Sequence, residues 1–144
     1  MVLWQYIGDF VSLFFPQICL GCRRSLVLQE EFICTHCLHN LPYTYFHLDK
    51  DNQAAKSLWG RVRTEAVVAC FYFTYGSSIQ QILHSIKYRN RLSAAHFFGR
   101  LYGEELTAAK MCGDATLNIP VRLHRKRLTK RGYNPRKVVG KGLI

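Results

Sequence analysis

Apolar positions along the chain change rhythm from one segment to the next. Leu3, Tyr6, Ile7, Phe10 and Phe14 recur at helical spacing and stop before Pro16, which predicts a short amphipathic helix over 1–15. Val67 to Phe73 is a continuous apolar run rich in β-branched and aromatic residues and bounded by Gly76-Ser77. Such a run predicts a strand covered on both faces. Ile79, Ile82, Leu83 and Ile86 then return to helical spacing, with Ser78 and Gln81 placed as a capping box. A basic turn, Lys87 to Arg91, separates this helix from a second one starting near Ser93, with Phe97, Phe98, Leu101 and Leu106 on its buried side and Gly113-Asp114 at its end. Ala115 to Val121 reads as another short strand and Leu123 to Leu128 as a helical turn. Gly132 and Pro135 mark a loop or restart, and Arg136 to Ile144 form the first turns of a last helix.

A strand–helix–strand order predicts an α/β architecture with a mainly parallel sheet. Two strands are few where a sheet usually has about 4–6, so the fold reads as cut short. The expected organisation is an N-terminal helix over 1–15, a four-cysteine zinc ribbon over 16–45, a linker over 46–62 and a second domain over 63–144. Trp59 is expected to anchor the polar stretch His47 to Ser57 against that domain.

Candidate chemistry begins with two knuckles, Cys19-Leu20-Gly21-Cys22 and Cys34-Thr35-His36-Cys37. A two-residue spacer lets both sulfurs of a turn face one ion, and the eleven residues between the pairs suffice for a short hairpin. Gly21 is expected to supply a permissive backbone. His36 is a candidate substitute for one sulfur. The alternatives are two disulfides or four free thiols. Disulfides belong mainly to secreted chains and no export signal is evident, which favours a structural Zn2+ on Cys19, Cys22, Cys34 and Cys37. Four thiolates leave no open coordination position, so the ion explains folding and not reactivity.

With 144 residues, 49% of them hydrophobic and 20% charged, the composition is that of a globular protein. The apolar N-terminus lacks a basic flank and carries Asp9, unlike a signal peptide, and it is shorter than the ~20 residues that span a bilayer. Docking on the protein's own core is favoured over a membrane-surface anchor, and no stable membrane insertion is expected. Cysteine usage agrees with a cytoplasmic address. Of the +11 formal charge, residues 1–114 hold +2 and residues 115–144 hold +9, the latter from nine Lys/Arg and no acidic residue. This asymmetry points to an anionic partner, phosphate or nucleic acid, against the plainer reading of a solvated basic helix. His84 and His96 have no carboxylate or cysteine at useful spacing. No Ser-His-Asp set, Walker loop or Rossmann fingerprint is present.

The ordered motifs Cys19/Cys22/Cys34/Cys37, Val67–Phe73, Lys87-Tyr88-Arg89 and Pro120–Asn134 resemble the ComF/GntX family of phosphoribosyltransferase-like proteins linked to DNA uptake in competence. That resemblance implies an incomplete type I phosphoribosyltransferase-like parallel-sheet domain after the zinc ribbon. Arg122 stands at the family's second proline and Pro135 at its glutamine, which is expected to change how the last helix begins. The acidic pair and the Thr-Gly-rich phosphate loop of such transferases have no counterpart after Gly132, so the chain reads as the N-terminal part of such a protein. Association through an exposed sheet edge is an expected consequence.

Three functions compete. The resemblance implies Mg2+ with phosphoribosyl pyrophosphate as ligands, with Arg125, Lys126, Arg127, Lys130 and Arg131 in or near a loop over the pyrophosphate, and no turnover from this chain alone. The basic segment, with Tyr133 and His124, instead suits single-stranded DNA. A protein adaptor for a helicase-like component of DNA uptake, built on Trp59, the N-terminal helix and the zinc hairpin, is the third.

Overall fold

The structure, a computed structural model, describes residues 16–27, 29–89, 91–111 and 115–143. The helix expected over 1–15 and the stop expected at Gly113-Asp114 lie outside the described residues. Among the described residues six helices follow in order: α1 (Thr35–His39), α2 (Gln53–Leu58), α3 (Ser78–Tyr88), α4 (Leu92–Ala108), α5 (Arg125–Arg131) and α6 (Pro135–Gly142), with a 3-10 turn at Phe46–Leu48.

The expected parallel sheet is not formed. Among the described residues only two isolated antiparallel bridges occur, Ile18 with Ser25 and Tyr43 with Phe71. The run from Val67 to Phe73 is extended, yet it pairs along one side only, where Thr44 N–H donates to the Cys70 carbonyl (3.1 Å) and Tyr72 N–H to that of Pro42 (2.8 Å). Tyr72 and Phe73 are exposed instead of covered. Residues 115–121 have no strand partner among the described residues, and Leu117, Ile119 and Val121 are exposed. The parallel-sheet domain is therefore replaced by a largely helical one, and a sheet edge for association is not present among the described residues. An apolar run without period fixes an extended, partly covered backbone but does not encode which strand will lie beside it.

Packing comes from helices. Ile79 and Ile82, each 1% exposed, and Ile86 form one face of α3, buried against Ile33 and Leu41 and the first turns of α4 at Ala94, Ala95 and Phe98. Burying each isoleucine contributes about 1.5–3 kcal/mol. Cys19 and Cys37 belong to the same core, so the cysteine segment and the helices share one hydrophobic interior. The α4–α6 contact is set by missing side chains. A Cβ on Gly99 would lie 2.3 Å from the Val139 carbonyl oxygen, and one on Gly142 would lie 2.4 Å from that of His96. No side chain fits there, and the two backbones meet directly.

Caps explain the helix limits. α3 starts one residue earlier than the sequence suggests, and the expected Ser78–Gln81 box is not formed: Ser77 stands at the N-cap position without a side-chain cap bond, and the Gln80 Oε1 accepts from Gly76 N–H at 2.6 Å. Asn134 is extended and its side chain accepts from Arg136 N–H, with Pro135 opening α6, where its missing donor costs nothing. Asn52 caps α2 through Ala55 N–H (2.9 Å) and donates its amide to the Asp49 and Val67 carbonyls (2.8 and 2.7 Å), tying the 46–62 segment to the extended run. Trp59 is 60% exposed and does not anchor that segment. No helix among the described residues is long and apolar enough to cross a membrane.

Candidate metal centre and basic groove

The first knuckle is a tight turn closed by Arg23 N–H donating to the Cys19 carbonyl (2.9 Å). Its left-handed residue is Arg23 (φ 62°), not Gly21. Gly21 serves by lacking volume, since a Cβ there would come 3.2 Å from Cys37 Sγ and 3.3 Å from Ser78 Cβ. The second knuckle is delivered by the start of α1, whose N-cap is Cys34 itself. Glu30 fixes the approach, its carboxylate accepting from Val27 N–H (3.1 Å), Thr35 N–H (2.6 Å) and Thr35 Oγ1 (2.9 Å).

These turns bring the sulfurs of Cys19, Cys22, Cys34 and Cys37 within 4.8 Å of one another. Cys22 and Cys34 Sγ are 3.7 Å apart, close to the edge of about 3.8 Å that a tetrahedron with ~2.3 Å metal–sulfur bonds requires. Backbone amides already point at the sulfurs: Gly21 N–H and Cys34 N–H donate to Cys19 Sγ (3.4 and 3.3 Å), and Cys37 N–H to Cys34 Sγ (3.4 Å). Burial pushes the Cys19 thiol up, but the amides of Cys22, Cys34 and Gly21 outweigh it and bring it down to about 7. Burial, then the neighbouring sulfurs, pushes Cys37 well up, and burial also raises Cys34. Four thiolates at this spacing repel, and a central dication removes the repulsion. The cluster could hold a metal ion, and its donor set, spacing and amide contacts fit one. His36 is exposed and stands outside it. Cys70 also lies apart, its thiol pushed up by burial and by Glu105.

The second feature is a groove of about 1460 Å³ between the start of α5 and the outer face of α6. Arg122, Arg125, Lys126, Lys137 and Lys141 line it with Tyr133, and none of these cations has a carboxylate partner among the described residues. Of the basic residues singled out by sequence, Arg125 and Lys126 face the groove and Arg127 does not. Lys130 belongs to α5, and its side chain is outside the described residues. Arg131 turns the other way, its guanidinium 4.9 Å from the Tyr88 ring centre. Tyr88 in turn lies against His84, with ring centres 4.7 Å apart. Tyr133 is held by its hydroxyl, which donates to the Ile86 carbonyl.

Arg122, Lys137 and Lys141 complete the cationic lining, outside the basic run Arg125 to Arg131 that stands out in the sequence. Lys137 and Lys141 are four residues apart and so share a face once a helix is assumed there; Arg122 stands out in the sequence only as a departure at a proline position. Comparisons with protein-family models, with curated proteins and with solved structures found no match.

Proposed function

We propose that this chain is a zinc-stabilised binding module that holds single-stranded nucleic acid along the basic groove. The observation that carries the reading is the convergence on one groove of a fixed tyrosine and five cations that have no carboxylate partner among the described residues. Phosphates along a strand are met by such cations, while bases stack on aromatic faces beside them. Zn2+ is the metal assigned to the cysteine cluster because four thiolates in a tetrahedral arrangement select it over harder ions. When bound, it supplies a fixed tetrahedral link between the two knuckles. The residues around it hold that geometry: Glu30 positions α1, and the amides at Gly21, Cys34 and Cys37 orient the sulfurs. The resemblance to the ComF/GntX family supports DNA uptake as the setting and single-stranded DNA as the nucleic acid.

Photo-crosslinking tests the reading. A single-stranded oligonucleotide carrying bromodeoxyuridine, irradiated with the zinc-loaded chain, is expected to leave its adducts on Tyr133 and His124, which line the groove. Adducts confined to Trp59 or Tyr75, exposed aromatics outside the groove, would contradict it.

A further inference from the structure

Two hollows of about 540 and 430 Å³ share Glu31 and Phe32 and form one trough beside the first cysteine knuckle. One end is walled by Pro16, Ile18 and Leu20, the other by Leu92, Phe97 and Val138. The trough therefore runs from the entry of the described chain along α4 to the edge of α6. Its floor is apolar. Phe32 and Phe97 pack on the core with ring centres 5.6 Å apart, while Ile18 and Leu92 remain 42% and 39% exposed. Leu92, His96 and Arg100 line it at intervals of four residues, a length of about 12 Å along α4.

The point at which the chain enters is fixed. Ile18 bridges to Ser25, and Leu26 N–H donates to the Gln17 carbonyl at 2.8 Å. Pro16, itself a lining residue, is thereby held at the mouth of the trough. The fifteen residues before it hold eleven apolar side chains, one carboxylate (Asp9) and no lysine or arginine. Leu3, Ile7, Phe10 and Phe14 share one face at helical spacing. Fifteen helical residues extend about 22 Å, longer than the stretch of α4 that lines the trough.

Charge and tethering select among occupants. A segment lying on a membrane meets the headgroups with lysine and arginine, and residues 1–15 have neither. A second copy must be recruited from solution, whereas a segment attached at the mouth is present at millimolar effective concentration. Arg91 and Arg100 stand on the rim, opposite in charge to Asp9, and Arg91 has no carboxylate partner among the described residues.

We propose that residues 1–15 of the same chain dock in this trough, with Phe10 and Phe14 against Phe32, Leu92 and Phe97, and Asp9 towards the arginine rim. Leu92 and Val138 also line the basic groove, so the docked segment borders that groove. The docking itself does not depend on what the groove binds.

Photo-crosslinking in the full, zinc-loaded chain tests this. With Phe10→p-benzoylphenylalanine, irradiation is expected to give adducts within single chains, mapped to Phe32, residues 92–100 or Val138. Adducts joining two chains would give the trough to a second copy. Adducts to lipid, in the presence of vesicles of phosphatidylcholine and phosphatidylglycerol, would give the segment to a membrane. Either result overturns the proposal, as would adducts confined to the exposed Tyr72 and Phe73, or no adduct at all. Leu92→Glu, at a half-exposed position, should remove most of the trough adducts at equal zinc content, and an unchanged yield would also overturn it. Amide hydrogen exchange gives a check on the unaltered protein. Residues 6–14 should exchange at least about tenfold more slowly than an unstructured peptide, whatever the protein concentration. Exchange at the unstructured rate, or protection that grows with protein concentration, would rule out docking within one chain.

Discussion

Arg131 lays its guanidinium over Tyr88, 4.9 Å from the ring centre, and donates Nη2 to the Tyr88 hydroxyl at 3.3 Å. The pair joins α5 to α3 across 43 residues of sequence and keeps the α5 cations facing the groove. Cation–π contacts at exposed sites contribute about 0.5–1 kcal/mol. Arg131→Ala is expected to lower stability in urea by about that amount and to weaken strand binding beyond the loss of one charge, because α5 loses its clasp. Arg131→Lys should restore the charge and not the clasp. A lysine variant matching the unaltered protein in both respects would show that only charge matters.

Metal removal should have a much larger effect. Cys19 and Cys37 are buried in the same core as Ile79 and Ile82, so loss of the ion exposes the main interior and not a detachable appendage. Structural zinc contributes about 10–16 kcal/mol of apparent binding free energy in small zinc peptides. Chelation, or Cys19→Ser, is expected to abolish the cooperative thermal transition, and one zinc per chain is expected by elemental analysis. A chelated protein that melts as before would remove the metal from the account.

The glycine contact between α4 and α6 makes a prediction of opposite character. Gly99→Ala forces a methyl group against the Val139 carbonyl, with the nearest backbone oxygen at 2.3 Å. Backbone cannot move aside as a flexible side chain would, and overpacking of this kind costs about 1–3 kcal/mol. Alanine normally improves a helix interior by about 0.5–1 kcal/mol over glycine, so the sign decides between the two effects. Denaturant unfolding should show Gly99→Ala destabilised; a stabilised variant would show that α4 and α6 do not meet there.

Glu30 gives a pH dependence. Its carboxyl is held below 4.5, chiefly by the Thr35 N–H, then by the Val27 N–H and the Thr35 hydroxyl. The folded value lies below the unfolded one, so the stabilisation is fully present above the ordinary carboxylate range and is lost as pH falls through the folded value. Glu30→Gln is therefore expected to be less stable than the unaltered protein at neutral pH, with the difference closing as the pH drops below 4.5. A difference that stayed constant into acid would assign the effect to shape and not to charge.

Parts of this arrangement were legible in the sequence. The two knuckles announced the cysteine cluster, because a Cys-x2-Cys turn constrains its sulfurs locally. The helical spacing of Ile79, Ile82 and Ile86 announced α3 and its buried face for the same reason. Pairing between distant segments was not legible. Val67 to Phe73 has the composition of a central strand, yet among the described residues its one bridge is to Tyr43, and residues 115–121 form none. Bulk was likewise a poor guide for Trp59, which is exposed because the short α2 is pinned by Asn52 and not by the indole. In the basic segment, charge alone could not separate Arg125 and Lys126, which face the groove, from Arg127, which does not.

The salt dependence of single-stranded DNA binding tests the central claim most directly. For a single strand the logarithm of affinity falls with the logarithm of salt at a slope of about −0.7 per phosphate neutralised. Five groove cations give a slope of about −3.5 for the zinc-loaded protein, and the variant Arg125→Ala/Lys126→Ala/Lys137→Ala should fall to about −1.4 with weaker binding at every salt concentration. An unchanged slope and affinity in that variant, at full zinc content, would contradict the groove as the nucleic-acid site.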